Sequence, residues 1–355
     1  MPADAPPSRS AGIVVLATIA VIASLYLARD FLVPIGLAIL FTGLLRPVVR
    51  RFERARLPAP IGATVVLVVF VGLLAVGGLA LADPLRAWVS DAPATLAAAQ
   101  RRLESLRRPL QTISTTAQKM EDATSGRAPG PVAPAPAALP AAGVPGIAAR
   151  VFGTTTALLG GLVEVVLLTF LLLASGDTFL AKLVKVLPVR REKREAVRIA
   201  HEVESVVSHY MTVTALINLG QGALVGLAMW LLHLPNPVLW GVLTFCLEFI
   251  PYLGGASMLI LLTLAGLASF DHVGHALLPL AVYLVITTLQ NNLVSPVAYG
   301  RRLSLNPPAV FVGVLFWWFL WGVAGAFLAV PIIATFKILG EHLESLAGVA
   351  EFLGD

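Results

Sequence analysis

Glu248 is the only charged residue in the apolar stretch Val238–Phe270, and it directly precedes Phe249-Ile250-Pro251-Tyr252-Leu253-Gly254-Gly255. A carboxyl group in such a place must be paired, protonated or wet. Desolvated, it could carry a proton or hold a coupling ion. The plainer role is a cap or packing contact at one membrane surface. Glu164 stands near the middle of another apolar run, Val151–Ala174, with no basic residue close to it in the chain. It could pair between helices or line a cavity. Three consecutive amides, Gln290-Asn291-Asn292, follow Leu277–Leu289 and lead into Ser295-Pro296. Unsatisfied polar groups are costly in hydrocarbon. These amides therefore either satisfy interrupted backbone at Pro251–Gly255 or line a polar cavity. Asn218 and Gln221 lie one helical turn apart. They could face Gln290 and Asn292, or bridge helices at about 0.6 kcal/mol each.

Other chemistries find no support. His201, His209, His272 and His275 have no metal-ligand spacing, and neither HExxH nor GxSxG occurs. Ser175-Gly176-Asp177 lacks the first glycine of a GxGD pair. No GxxxxGK[ST] loop is present to bind nucleotide phosphates. The expectation is no metal, no cofactor and no catalysis. Cys246 is the single cysteine, so no intrachain disulfide can form.

The elements that must position Glu248 and the amides are interrupted helices. Proline removes a backbone donor and clashes with the preceding turn, and glycine permits a reversal. Pro251, Gly254 and Gly255 should break the stretch 238–270 near its middle. Gly322, Gly325 and Pro331 should do the same in Ala309–Leu339. Both stretches are too long for one untilted span. Broken backbone at membrane depth survives only inside protein or beside a water-filled cavity. Paired interruptions are the best pointer in a sequence to a transport site.

The bulk composition agrees. The chain has 355 residues, 57% hydrophobic and 13% charged, with formal net charge +5 and mean hydropathy +0.86. Soluble domains carry about 25% charged residues. Continuous apolar runs exclude an outer-membrane barrel, whose strands alternate. The pI near 9.7 fits basic cytoplasmic segments in contact with a lipid bilayer rather than nucleic acid. The fold class is all-α: a polytopic membrane protein of about eight transmembrane or re-entrant helices with an external helical insert.

Residues 1–82 hold the N-terminal helices Ala11–Ala28, Phe31–Leu45 and Ile61–Ala82. Arg29-Asp30 reads as a polar turn, and Arg46 to Arg56 as a basic loop. Residues 83–150 form the insert. Asp83-Pro84 reads as a helix start followed by a heptad stripe from Leu85 to Ile113, and Arg127–Gly146 as a Pro/Ala/Gly-rich linker. This helix rests on its own protein or the membrane surface, or contacts neighbouring subunits. Residues 151–176 are a further span, and 177–209 a cytoplasmic amphipathic segment with a basic face. Residues 210–340 are the transport core, and 341–355 a cytoplasmic tail. Both basic segments should lie in the cytoplasm, which places the insert outside. With Arg301 and Arg302 outside, each long stretch is one tilted span and both termini lie inside. With them inside, each stretch is a re-entrant hairpin. The charge pattern leans to eight crossings.

The run from Tyr210 to Pro331 resembles the autoinducer-2 exporter family of bacterial inner-membrane permeases. The resemblance is carried by Phe249-Ile250-Pro251-Tyr252-Leu253-Gly254, by Asn292 with Pro296, by Gly300 with Leu303 through Pro307, and by Trp321-Gly322-Val323-Ala324-Gly325-Ala326-Phe327-Leu328-Ala329-Val330-Pro331. It implies a multi-pass inner-membrane protein that assembles as a homo-oligomer. It further implies export of a small polar solute such as autoinducer-2. The alternative is a sodium(lithium)/proton antiporter or channel-like permease using H+ or Na+. Two positions depart from the family pattern: Glu248 stands where Asn is common, and Gln290-Asn291 where an acidic residue and Gly are common.

Overall fold

The computed structural model describes residues 11–91, 93–94, 97, 155–176, 190–299, 305–343 and 346–354. Among them every regular element is helical, apart from one isolated bridge between Leu305 and Gly354. Helices are what apolar chains must form in hydrocarbon, since each backbone polar group then finds its partner within the segment. The main helices are α1 (Ala11–Leu27), α2 (Arg29–Arg54), α3 (Ala59–Ser90), α4 (Thr155–Ser175), α5 (Arg190–Leu231), α6 (Pro237–Leu247), α7 (Leu253–Ser269), α8 (Leu278–Leu289) and α9 (Pro307–His342). Among the described residues, five helical runs are long and apolar enough, by length and composition, to cross a bilayer: Arg29–Arg54, Ala59–Trp88, Arg194–Leu231, Val273–Tyr299 and Pro307–His342.

Several local expectations change. Arg29 and Asp30 form no reversal. A single residue, Ala28 (φ −86°, ψ 8°), joins α1 to α2, and i→i−4 bonds continue on both sides (Ala28 N–H to Ser24 O, Leu32 N–H to Ala28 O). The basic loop is mostly the last turns of α2, which runs through Pro34 and Pro47 and carries Arg46, Arg50, Arg51 and Arg54. Helix α3 passes through Asp83-Pro84 to Ser90, so no new helix starts there. Helix α5 joins the basic amphipathic segment to its span in one 42-residue rod. The heptad stripe beyond Ser90, the linker 127–146, the segment 177–189, and Gly300 through Ser304 lie outside the described residues.

The two long apolar stretches are hairpins, which overturns the single tilted spans of an eight-crossing topology. Trp240 of α6 packs with Met258, Leu262 and Ala265 of α7 in one buried cluster, joined by Val225 and Met229 of α5 and Tyr283 of α8. Helix α9 reverses at Gly322, whose φ of 63° and ψ of −143° are non-helical. A straight helix would hold positions 313 and 333 about 30 Å apart. Instead a Cβ on Gly313 would sit 3.2 Å from Ile333 Cγ1.

Helix α5 crosses α6 at close range through Gly222, Gly226 and Gly241. A Cβ on Gly222 would lie 2.6 Å from the Gly241 carbonyl oxygen. This small-residue spacing lets backbones approach where lipid supplies no hydrophobic drive between helices. The basic ends also gather. Glu204 of α5 pairs with Arg46 (2.9 Å) and Arg50 (3.0 Å) of α2. His342 of α9 meets Arg198 at 2.8 Å and Glu202 at 3.4 Å, both on α5.

Candidate functional site

The first reversal is built from residues 248–254. Helix α6 ends at Leu247 and is capped by Glu248, whose N–H donates to Thr244 O. Ile250 N–H then donates to Leu247 O, and Leu253 N–H to Pro251 O at 2.7 Å. The last bond closes a three-residue turn around Tyr252, held at φ 63° and ψ −50°. That conformation is rare and costs on the order of 1–3 kcal/mol, so the surroundings must impose it. Tyr252 is in fact pinned: its hydroxyl donates to Pro307 O at 3.3 Å and its ring meets Phe311 edge-on. Gly254 is required by approach rather than by φ, because any Cβ there would run into the Leu247 carbonyl oxygen.

Glu248 is half-buried. Its Oε1 accepts the Tyr283 hydroxyl at 2.5 Å and Gln221 Nε2 at 3.2 Å. Tyr283 is fully buried, Gln221 nearly so, and Gln221 Oε1 has no partner. Gly255 completes the wall, where an added Cβ would lie 3.8 Å from Glu248 Oε1. Asn218, one turn before Gln221, serves the broken backbone. With its amide oriented to satisfy both neighbours, Oδ1 accepts Phe249 N–H at 3.2 Å and Nδ2 donates to Thr214 O at 3.2 Å. Helix α5 therefore supports the carboxylate and the reversal from one face.

The second reversal packs on the first. Ile250 is buried among Val314, Trp317, Leu320, Ala326 and Ala329, with Leu253 beside them. The Phe249 and Phe327 rings lie 5.3 Å apart. Gly325 leaves no room for a side chain, since a Cβ would meet the Trp317 carbonyl oxygen. A cavity of about 240 Å³ opens between the two hairpins, lined by Leu247, Ile250, Leu253, Gly254 and Ser257 on one side and Leu315, Trp318 and Val323 on the other. Its lining is apolar except for Ser257. The interruptions are thus sheltered by protein, while the polar groups converge behind them on Glu248. Trp317 and Trp321 are packed ring to ring at 4.7 Å, and Trp321 Nε1 donates to Leu25 O of α1 at 3.0 Å.

The remaining candidates lie elsewhere. Gln290, Asn291 and Asn292 occupy a π-helical turn, Gln290–Val294, a form frequent at functional sites. Gln290 Nε2 donates to Ser295 Oγ, Asn291 contacts Thr287, and Asn292 donates to Thr288 O. Their bonds stay within this segment, so they do not satisfy Pro251–Gly255. That task falls to Asn218 of α5, which packs alongside the reversal. Asn218 and Gln221 likewise face the reversal rather than Gln290 and Asn292. Pro296 is exposed. Pro331 does not interrupt α9; the helix continues and Thr335 caps its carbonyl at 2.7 Å. Glu164 is half-buried on α4 and has no hydrogen-bond or ion-pair partner among the described residues. The residue missed by sequence reading is Tyr283. Its signal is a lone phenol within an apolar helix, since a buried tyrosine hydroxyl needs a partner.

Residues 15–345 match the sequence profile of the AI-2E family of transporters. The chain is 26% identical over 344 residues to "Putative transport protein YhhT" of Escherichia coli (strain K12), covering 95% of this chain and 91% of that protein. It is 27% identical over 323 residues to "Putative transport protein MT0215" of Mycobacterium tuberculosis, covering 90% and 85%. A shorter match, 32% identical over 149 residues, is to "AI-2 transport protein TqsA" of Escherichia coli (strain K12), covering 42% and 43%. With its apolar helices, its two packed reversals and a profile match over nearly its whole length, this multi-pass membrane protein belongs to the AI-2E transporter family.

Proposed function

We propose that the chain is a secondary transporter that moves a small polar solute outward across the bacterial inner membrane. The observation that carries this reading is Glu248, a half-buried carboxylate held by Tyr283 and Gln221 at a reversal that packs against a second one. Transporters place their sites at paired interruptions of this kind. Glu248 takes up a proton or Na+, and the change in its charge alters its hold on α5 and α8. Pro251, Tyr252, Gly254, Gly255, Gly322 and Gly325 shape the moving hairpins. Gln290, Asn291, Asn292 and Pro296 border the route at the π-helical turn, and Pro331 flanks it from α9. Glu164 is a second coupling position.

The similarity to TqsA supports a solute of the autoinducer-2 kind, a small furanone-type molecule. The chain contains no phosphate-binding loop, which supports drive by an ion gradient. The gathered arginines support a cytoplasmic location for the basic end, with both termini on that side. The exposed apolar residues of α1 and α3 meet lipid or a second copy of the chain in a homo-oligomer.

The test is flux in proteoliposomes with a furanone-type solute, with and without a proton gradient, for wild type and Glu248→Gln. Gradient-dependent solute flux that falls in the variant, with normal membrane insertion, is the expected result. Full flux by Glu248→Gln at every pH removes Glu248 from the mechanism. Proton flux that needs sodium and no solute replaces this reading with antiport.

A further inference from the structure

Another cavity, of about 630 Å³, lies between the last turns of α2 and the middle of α5, apart from Glu248. Four arginines, Arg46, Arg50, Arg51 and Arg54, are among its lining residues, against a single acidic one, Glu204. One oxygen of that carboxylate, Oε1, accepts from both Arg46 and Arg50. Arg51 and Arg54 have no ion pair among the described residues. The cavity therefore carries three positive charges beyond its own counter-charge. Thr212 also lines it, and the Thr212 hydroxyl is buried with no partner, leaving a donor unused. The Ser208 hydroxyl, by contrast, is already committed to Gly43 O at 2.7 Å.

From this arrangement we propose that the cavity binds a phosphate-type anion. Planar guanidinium forks match phosphate oxygens two at a time, and surplus positive charge around one open cavity favours a compact anion. An adjoining cavity of about 540 Å³ indicates the source. It shares Arg46 and Glu204 with the basic cavity and is otherwise mostly apolar, with Ile39, Leu40, Leu328 and Phe336 among its lining. A phosphate on the arginines with an acyl chain alongside them is the shape of an anionic phospholipid. A free phosphate would use the basic cavity alone.

The experiment uses the full chain in neutral detergent. It is titrated with short-chain phosphatidylglycerol, short-chain phosphatidylcholine and inorganic phosphate at constant ionic strength. Bound lipid is read by native mass spectrometry, and phosphate by thermal shift against chloride. Phosphatidylglycerol binding one per chain, about tenfold tighter than phosphatidylcholine, is expected for a headgroup site on several arginines. Arg51→Gln with Arg54→Gln should weaken it by about 30-fold. Glu204→Gln should tighten it, since it removes a carboxylate that competes with the anion for Arg46 and Arg50; a purely structural ion pair would give no such gain. Inorganic phosphate binding as tightly as the lipid upholds the anion site and assigns it to a free phosphate. The proposal is overturned if neither anion is preferred over its control, or if folded Glu204→Gln binds no tighter than wild type. The Glu204→Gln comparison decides the matter even if the double arginine variant does not fold.

Discussion

The Tyr283 hydroxyl donates to Glu248 Oε1 at 2.5 Å, joining α8 to the end of α6 across 35 residues of chain. Tyr283→Phe keeps the ring in its core cluster and deletes only this bond. A hydrogen bond to a charged group contributes about 1.5–3 kcal/mol, or roughly 10–100-fold in a step that needs the carboxylate held in place. Solute flux should fall by that order in a variant that still folds and inserts, and stability should fall by no more than the worth of this one bond. Wild-type flux in Tyr283→Phe would separate this contact from transport.

Asn218 answers the Phe249 N–H, a donor that the reversal leaves without a helical partner. Asn218→Leu should destabilise the protein by about 1–3 kcal/mol, the cost of a buried donor left unmade. Asn218→Asp keeps the acceptor and should cost less. Denaturation in detergent measures both, and amide exchange at Phe249 localises the effect. Unchanged protection at Phe249 in Asn218→Leu would contradict the assignment.

The glycines separate by physical cause. Gly322 has open space around its missing Cβ but a positive φ, so Gly322→Ala meets backbone strain of about 1–3 kcal/mol. Gly254→Ala instead drives a methyl into the Leu247 carbonyl, a clash with backbone that cannot yield cheaply. Gly77 has open space and no unusual φ, so Gly77→Ala in α3 should be neutral or stabilise by up to about 1 kcal/mol. Thermal unfolding of the three variants should rank Gly77→Ala as most stable. Equal melting of all three would argue against both reversals.

The fold-back of α9 can be trapped. In a Cys246→Ser background, Gly313→Cys with Ile333→Cys should cross-link on mild oxidation, because position 313 lies against the Ile333 side chain. A disulfide needs Cα atoms within about 7 Å, far less than a straight helix would leave. A faster-migrating band on non-reducing gels is the expected outcome. No cross-link under conditions that oxidise an exposed control pair would favour a single tilted span.

The sequence by itself determined that this is a helical membrane protein, that its apolar stretches are interrupted at Pro251 and Gly322, and that Glu248 is the exceptional charge. Those properties follow from composition and from what proline, glycine and a carboxylate cost in hydrocarbon, all local to the chain. Tertiary structure decided what meets what. Pro251 and Gly322 announce interruptions, but only packing of Gly313 on Ile333 and of Trp240 on Leu262 turns them into hairpins. The amide that repairs the first interruption is Asn218 rather than Asn292, because α5 lies alongside the reversal while Asn292 bonds to Thr288 O in its own helical run. The arginines of α2 look like a cytoplasmic loop until α5 brings Glu204 to two of them and sets its own face beside the others along one cavity. Partners distant in the chain are chosen by helix crossing, which here depends on Gly222 and Gly241 letting two backbones approach, and no local pattern encodes that choice alone.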